Sequence, residues 1–235
     1  QNQLTSLFTH AAKIYDLPVN PCKKVKRMGN SDSRSLNFWT LDEYKQFIQT
    51  MEPGTRYYLM FEMLFWTGCR IGELLAITKA DINFEKNQLS INKTYYRTGM
   101  QDIITEPKTK QSFRTIEIPE FLKEEIKEFV DGHYGMPDTE RLFPVVQEAV
   151  QHKMKRQIEL AGVKKIRVHD IRHSHVAYLI EKGVEPLLIR DRLGHKDIRI
   201  TLNTYGHLYP NQQRKIANLL DNENAVTGLG EERDE

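Results

Sequence analysis

The sequence has few cysteines and lacks any long apolar run. Its 235 residues contain two cysteines, Cys22 and Cys69, which excludes a framework of several disulfides and favours a reduced, cytoplasmic setting. No run of about 18 apolar residues occurs, so no membrane-spanning helix is expected. The N-terminal residues, QNQLTSLFTHAAK, lack a basic segment followed by an apolar one, and therefore predict no secretory signal.

A large excess of either charge is also missing. The chain carries 34 Lys and Arg against 32 Asp and Glu, so its net charge of +2 does not by itself indicate a nucleic-acid partner. Acidic residues concentrate at 120–131 and 231–235. Clustered bases can bind phosphates or can form a solvated charged face, and the sequence leaves both interpretations open. The basic clusters are 23–27, 153–156 and 164–167.

Prolines and polar stretches divide the chain into four predicted parts. Apolar residues at helical spacing over 4–15 predict a helix, which Pro18 and Pro21 interrupt. We therefore expect residues 1–27 to be the end of a preceding domain in a chain cut inside a larger protein. Residues 28–37 form a polar linker, 38–222 the main domain, and 223–235 a tail too polar to fold.

The main domain is predicted to be mainly α with a small antiparallel β-sheet, an α+β fold. Thr40 and Glu43 have the spacing of a capping box, and residues 55–67 are apolar nearly all round, as in a buried helix. Segments rich in β-branched and aromatic residues predict about three strands, at 88–97, 101–105 and 112–118. Further helices are predicted from a short segment near 72–77 and from 119–130, 147–161, 170–182, 186–193, 198–206 and 211–220.

Four local patterns carry side chains suited to chemistry. TGCRIGELL contains Arg70 just past the predicted buried helix, and PKTK contains Lys108 between two predicted strands. VHDIRHSH contains His169 and Arg172, which lie three residues apart and share one helical face. The remaining pattern is LGH with His195, followed by TYGHLYP with Tyr205.

Each pattern taken singly also has an ordinary structural explanation. Arg70 could be the salt-bridge partner of Glu73, Lys108 could be a solvated turn residue, and Tyr205 could be a half-buried ring. His169, His173 and His175 could be metal ligands, which would suggest a metal-dependent hydrolase. No cluster of carboxylates or cysteines accompanies them, so we expect no metal site.

Together and in this order, the patterns resemble those of the tyrosine recombinases, the phage-integrase family, over about residues 36–220. The amino acids within these motifs are similar to those in integrases of Gram-positive phages and conjugative transposons. The resemblance implies the fold of that family's catalytic domain and a DNA strand transfer that needs no cofactor and no metal. It implies these catalytic residues: Arg70, Lys108, His169, Arg172, His195 and Tyr205. Lys110 competes with Lys108 as the lysine of the family's hairpin.

These residue types suit the cleavage of a phosphodiester bond. A tyrosine oxygen that attacks phosphorus would form a 3′-phosphotyrosine, which stores the bond for rejoining to another strand. Negative charge grows on the nonbridging oxygens, and arginines offer planar forks of donors that keep their charge. We therefore assign Arg70 and Arg172 to the phosphate and Tyr205 to the attack.

The resemblance assigns the remaining roles. Lys108 would be the general acid that protonates the leaving 5′ oxygen, and His169 would be the base or hydrogen-bond partner of the tyrosine. His195 would bond to the phosphate, and His207 would support the site without being catalytic.

The resemblance also implies the partners. They are double-stranded DNA attachment sites, three further copies in a homo-tetramer on DNA, and accessory DNA-bending proteins, with no membrane. Residues 1–27 would be the C-terminal remnant of a core-binding domain. The helix at 211–220 would pack on a neighbouring protomer or on its own core.

Two other functions remain open from the sequence. A type IB topoisomerase shares the arginine, lysine, histidine and tyrosine chemistry and would relax DNA that has no specific site. A DNA-binding module with a silent active site would bind DNA without cleaving it, although the complete set of six residues argues against this.

Overall fold

The computed structural model describes residues 2–25, 37–107, 112–133, 135–208, 217–218 and 220–222 of the chain. It contains two compact units, residues 1–36 and 37–235. In the first unit, helix α1 (Asn2–Ile14) is followed by a 3₁₀ helix (Pro21–Lys23). The side-chain amide of Asn20 donates to the carbonyl of Thr5 and to the hydroxyl of Thr9, which ties the loop after α1 back to that helix.

The second unit is mainly helical, as the sequence predicts. Thr40 and Glu43 form the predicted capping box: the hydroxyl accepts from the Glu43 N–H, and the carboxylate accepts from the Thr40 N–H. This pair satisfies amide groups that the first turn of a helix leaves without partners. The helices are α2 (Leu41–Ile48), α3 (Arg56–Thr67), α4 (Ile71–Leu74), α5 (Glu120–Asp131), α6 (Gln147–Ala161), α7 (Asp170–Glu181), α8 (Pro186–Leu193) and α9 (Ile198–Tyr205).

The strands form two small antiparallel sheets. One has the order β1-β2-β5 and the other pairs β3 with β4. The prediction of one continuous strand over 88–97 was wrong, because the chain bends at Asn92 and Lys93. Both side chains reach back to Asp81, at 2.8 and 2.7 Å, and thereby end the first strand. The strands are β1 (Ile82–Asn83), β2 (Gln88–Ile91), β3 (Thr94–Thr98), β4 (Gln101–Thr105) and β5 (Arg114–Glu117).

Helix α3 is the centre of the core. Its side chains are apolar on nearly every face, and it packs against α2, α5 and α7. Phe65 stacks on Tyr44 with ring centroids 3.7 Å apart, and Phe61 meets Phe47 edge to face. Truncating such a buried ring to alanine costs about 3–5 kcal/mol. This packing fixes the C-terminal end of α3, which leads directly into the TGCRIGELL motif.

Several predictions fall partly or wholly outside the described residues. These are the linker at 28–37, most of the helix at 211–220, and the tail at 223–235. Within the ranges given above, every helix is too short or too polar to cross a lipid bilayer. Cys22 and Cys69 are both free thiols.

Candidate active site

Arg70 stands at the junction between α3 and α4. It is the N-cap of α4, and its N–H donates to a carboxylate oxygen of Glu73 at 2.8 Å. Its guanidinium donates to the other oxygen of Glu73, also at 2.8 Å, so the expected pairing of these two residues is present. The Arg70 side chain is 39% exposed, which leaves the remaining donors of its guanidinium open to a ligand.

Glu73 also holds a second arginine, Arg114 at the start of β5. The two guanidinium nitrogens of Arg114 lie 3.2 and 2.8 Å from the two Glu73 oxygens, and the Arg114 Nε donates to the carbonyl of Arg192. Burial alone would raise the pKa of Glu73, but the hydrogen bonds and charge of Arg114, aided by Arg70, hold it at about 2. A buried carboxylate that stays ionised thus fixes two cations side by side.

Two glycines in the TGCRIGELL motif allow this junction. Gly68 ends α3 with φ +67°, and a β-carbon there would lie 2.5 Å from the ring of the buried His175. A β-carbon on Gly72 would lie 2.8 Å from both the hydroxyl of Thr94 and the carbonyl of Tyr95. A side chain at either position would therefore displace the backbone that carries Arg70.

Arg172 is buried on α7 and faces the same junction. It is 4% exposed and donates to the carbonyls of Gly68 and Leu193, both at 2.8 Å. Burial, and next the like charge of Arg70, lower the pKa of Arg172 to about 9, which leaves it protonated at neutral pH. The two carbonyls fix the plane of the guanidinium, because its donors form a rigid fork.

Tyr205 is the last residue of α9, and its ring is buried at 2% exposure. Its hydroxyl lies 2.6 Å from Nδ1 of His173, with the ring centroids 5.6 Å apart. Burial raises the pKa of Tyr205 to about 12 although the charges of Arg172 and Arg70 act to lower it. The hydroxyl is therefore protonated at neutral pH and needs a proton acceptor before it can attack.

His169 caps the N-terminus of α7 and meets the ring of His173 edge to face at 5.4 Å. Among the described residues, the Tyr205 hydroxyl is bonded to His173 and not to His169. Burial, followed by the charges of Arg172 and Arg70, lowers the pKa of His169. His169 is accordingly close to the arginines and neutral, and its role as the base stays a prediction.

His195 follows the left-handed Gly194 that ends α8. Its Nδ1 lies 3.0 Å from the hydroxyl of the buried Thr201 on α9. Burial, and then the charge of Arg172, lower the pKa of His195 to about 4, so it is neutral at pH 7. A groove beside it is lined by charged and polar side chains that include Arg114, Arg190 and Lys196.

Three of the expected features cannot be placed in this geometry. Lys108 and Lys110 lie outside the described residues, between β4 and β5, and so does the side chain of His207. Their roles remain predictions.

The three histidines considered as metal ligands do not converge. His175 is fully buried on the far side of the junction, where its Nε2 accepts from the Arg192 Nε at 3.1 Å. Nδ1 of His173 is occupied by Tyr205. In the part of the chain that the structure describes, no three His, Cys, Asp or Glu side chains form a cluster able to hold a metal ion.

The arrangement gathers three arginines near a buried tyrosine, and such a cluster can bind an anion. Arg70 and Arg114 pair with the Glu73 carboxylate, and Arg172 is a third cation, held by the carbonyls of Gly68 and Leu193. His195 and Tyr205 add neutral side chains. Arg114 and His173 were not among the predicted catalytic residues. Two sequence features could have indicated them. Arg114 lies in the predicted strand SFRTIEI, and His173 directly follows Arg172.

Comparisons with known proteins identify the family of this chain. The model of the phage integrase family matches residues 37–212. The chain is 31% identical over 239 residues to the ICEBs1 integrase of Bacillus subtilis, covering 93% of this chain and 65% of that protein. It is 29% identical over 251 residues to a XerC-like tyrosine recombinase of Caldanaerobacter subterraneus, covering 94% and 64%. The chain thus spans less than two thirds of the length of these curated relatives.

The fold has a counterpart among solved structures. The Tn1549 transposon integrase, solved in complex with a circular intermediate DNA, matches 93% of this chain with a TM-score of 0.74 at 21% identity. The match covers 76% of that chain. It confirms the predicted fold class, a mainly α domain with a small antiparallel sheet.

Proposed function

Because the chain belongs to the phage integrase family, we propose that it cleaves and rejoins double-stranded DNA at specific sites through a 3′-phosphotyrosine on Tyr205. The observation that carries this proposal is the buried Tyr205 hydroxyl, which is held by His173 on α7, the helix that also carries Arg172. A protonated tyrosine beside paired arginines suits attack on a phosphodiester and suits few other reactions.

The chemical step depends most on stabilising the negative charge that grows on the nonbridging phosphate oxygens in the transition state. The oxygen of Tyr205 bonds to phosphorus as the bond from phosphorus to the 5′ oxygen breaks. Arg70, whose guanidinium is partly exposed, and Arg172, fixed by two carbonyls, would meet the two nonbridging oxygens. Removing one such preorganised donor typically costs about 3–4 kcal/mol, a factor of roughly 10² to 10³ in rate.

The other predicted residues have supporting roles in the proposal. Lys108 would give its proton to the leaving 5′ oxygen, with Lys110 as the competing candidate. His195 would donate to a nonbridging oxygen through Nε2, because its Nδ1 faces Thr201. The basic groove that includes Arg190 and Lys196 would contact the DNA backbone on either side of the cleaved bond.

The proposed partners follow from the same reaction. They are double-stranded DNA attachment sites, a homo-tetramer that pairs two such sites, and accessory DNA-bending proteins. Residues 1–27 would be the end of a core-binding domain joined through 28–37 to the catalytic domain at 38–222. The biological result would be the insertion of a mobile DNA element into a chromosome or its excision from one.

A covalent-trapping assay tests the proposal. The protein is incubated, without added metal, with a pool of nicked duplexes of randomised sequence, in which cleavage releases a short strand and prevents rejoining. Denaturing gels then reveal protein linked to DNA, and sequencing of the trapped strands identifies the site. We expect an adduct with wild type and with Tyr209→Phe, and none with Tyr205→Phe.

The other results contradict parts of the proposal. An adduct that persists in Tyr205→Phe and disappears in Tyr209→Phe would move the nucleophile to Tyr209. No adduct from any sequence in the pool would leave the silent DNA-binding module as the better description. Relaxation of a supercoiled plasmid that lacks the selected site, as fast as one that contains it, would favour the topoisomerase.

A further inference from the structure

His173 is the histidine in direct contact with the nucleophile. It lies on α7 one residue after Arg172, and its Nδ1 is 2.6 Å from the Tyr205 hydroxyl. The imidazole side chain is 16% exposed, so water has little access to this contact. A hydrogen bond this short, between residues 32 positions apart in the sequence, fixes the end of α9 as well as the hydroxyl.

The surroundings of the imidazole determine which nitrogen can accept a proton. Nε2 lies 3.9 Å from a carboxylate oxygen of Asp170, which is 2% exposed and is itself held by Arg167. A negative charge on that side favours hydrogen on Nε2 and leaves Nδ1 as the acceptor. The tyrosine hydroxyl then donates to Nδ1, in the order Tyr205, His173, Asp170.

The charges around His173 keep it neutral before the reaction. On its own helix it faces His169, Asp170 and Arg172, from the preceding loop it is influenced by Arg167, and from α9 it contacts Tyr205. Burial, and then His169, lower the pKa of His173 although Asp170 acts to raise it. A neutral imidazole is the form able to take a proton.

We propose that His173 docks Tyr205 and accepts its hydroxyl proton as the phenolic oxygen attacks phosphorus, an inference that rests on the function proposed above. The bond between hydrogen and the Tyr205 oxygen breaks, and the proton passes to Nδ1 of His173. The bond from the Tyr205 oxygen to phosphorus forms while the bond to the 5′ oxygen breaks, and Lys108 or Lys110 protonates that oxygen. In the rejoining step His173 returns its proton to Tyr205.

This assignment leaves His169 for a different task. His169 lies beside the arginines and does not bond to the Tyr205 hydroxyl, so it can serve the phosphate. The two histidines of HDIRH, whose rings lie 5.4 Å apart, would then have different tasks: His169 would serve the phosphate, and His173 holds the nucleophile.

Rates of adduct formation on the duplex selected by trapping test the role of His173. In His173→Ala the docking bond and the proton acceptor are both lost, and the rate should fall about 10² to 10⁴-fold. In His173→Asn the amide oxygen can still accept the hydroxyl hydrogen bond but cannot take a proton, so the rate should remain at least tenfold below wild type. His152→Asn, an exposed histidine on α6, should match wild type.

A modified substrate separates activation of the nucleophile from protonation of the leaving group. In a duplex with sulfur in place of the bridging 5′ oxygen, the leaving thiolate needs no proton. One of the two variants Lys108→Ala and Lys110→Ala removes the general acid and slows adduct formation. On this duplex that variant should react at the wild-type rate. The defect of both His173 variants should remain, because the Tyr205 hydroxyl must still lose its proton.

The results that would overturn the inference differ from those that would overturn the proposed function. Wild-type rates in His173→Asn would remove the proton-accepting role, and a defect that the sulfur substrate relieves would move His173 to the leaving group. Thermal unfolding of each variant shows whether it still folds. If His173→Ala does not fold, the rate of His173→Asn, whose side chain is closer in shape to histidine, tests the proton-accepting role by itself. Absence of any adduct with wild type would instead contradict the proposed function itself.

Discussion

The two halves of the candidate site are held together by different kinds of interaction. The arginine half consists of Arg70 and Arg114, both paired with Glu73, and of Arg172, which bonds to backbone carbonyls. The tyrosine half consists of α9 with Thr201 and Tyr205, and it is attached through two neutral histidines, His195 and His173. Charge is fixed in one half, and proton positions are free to change in the other.

This difference fits what each half would do in the proposed reaction. A site for a phosphate has to present positive charge in a set geometry, and a buried carboxylate with two arginines achieves that before any ligand arrives. A nucleophile has to lose a proton and later regain it, which a neutral imidazole with a lowered pKa allows. Charged partners around Tyr205 in place of the histidines would either trap its proton or remove it permanently.

The largest effect is expected from Glu73→Gln, which removes the charge that holds the arginine half. Arg114 has a side chain only 6% exposed, and it would be left as a buried cation without its counter-charge. Breaking such a pair typically costs about 3–5 kcal/mol, measurable as a lower free energy of unfolding in urea. Glu43→Gln, which removes the carboxylate of an exposed helix cap, should cost no more than about 1.5 kcal/mol.

The same substitution predicts a pH dependence. The pKa of Glu73 is depressed to about 2 in the folded protein, so its stabilisation is present above the unfolded pKa near 4.5 and is lost as pH falls toward 2. The stability difference between wild type and Glu73→Gln should therefore shrink over that interval. A difference that stays constant from pH 5 to pH 2.5 would show that the charge of Glu73 does not hold the arginine half.

The second largest effect is expected from a substitution that keeps the positive charge of Arg172 but changes the geometry of its donors. Arg172→Lys preserves a cation but loses the fork that binds the carbonyls of Gly68 and Leu193 and that, in the proposed reaction, would present donors to the phosphate. We expect adduct formation to slow by roughly 10² to 10³. Arg190→Lys, which changes a groove residue outside the charge cluster, should slow it less than threefold. Equal effects of the two substitutions would mean that charge alone, and not the fork, is required.

The helices were the most predictable part of the fold, because their ends carry local signals. Helices α6 and α8 begin and end where the sequence predicts, each closed by a left-handed glycine, Gly162 or Gly194. The break between β2 and β3 was missed, since it depends on Asp81 binding Asn92 and Lys93 from outside those strands.

The family could be predicted from the sequence, but the contacts within the candidate site could not. The order of motifs identified the family, which the comparisons confirm. The bond from Glu73 to Arg114 spans 41 residues and the bond from His173 to Tyr205 spans 32, and no local pattern indicates such pairings. Spacing along one helix placed His169 and Arg172 together, whereas the partner of the tyrosine depends on how α9 packs on α7.

The smallest effect is expected in the tyrosine half, from Thr201→Val. Valine has the shape of threonine but removes the buried hydroxyl that lies 3.0 Å from Nδ1 of His195. A lost neutral hydrogen bond of this kind costs about 1 kcal/mol, or roughly fivefold in the rate of adduct formation. Thr201→Ser keeps the hydroxyl and should stay near the wild-type rate. If the valine and serine variants react at the same rate, the bond between His195 and Thr201 does not hold α9. The tyrosine half would then depend on packing and on the single hydrogen bond from Tyr205 to His173, whereas we infer two such bonds.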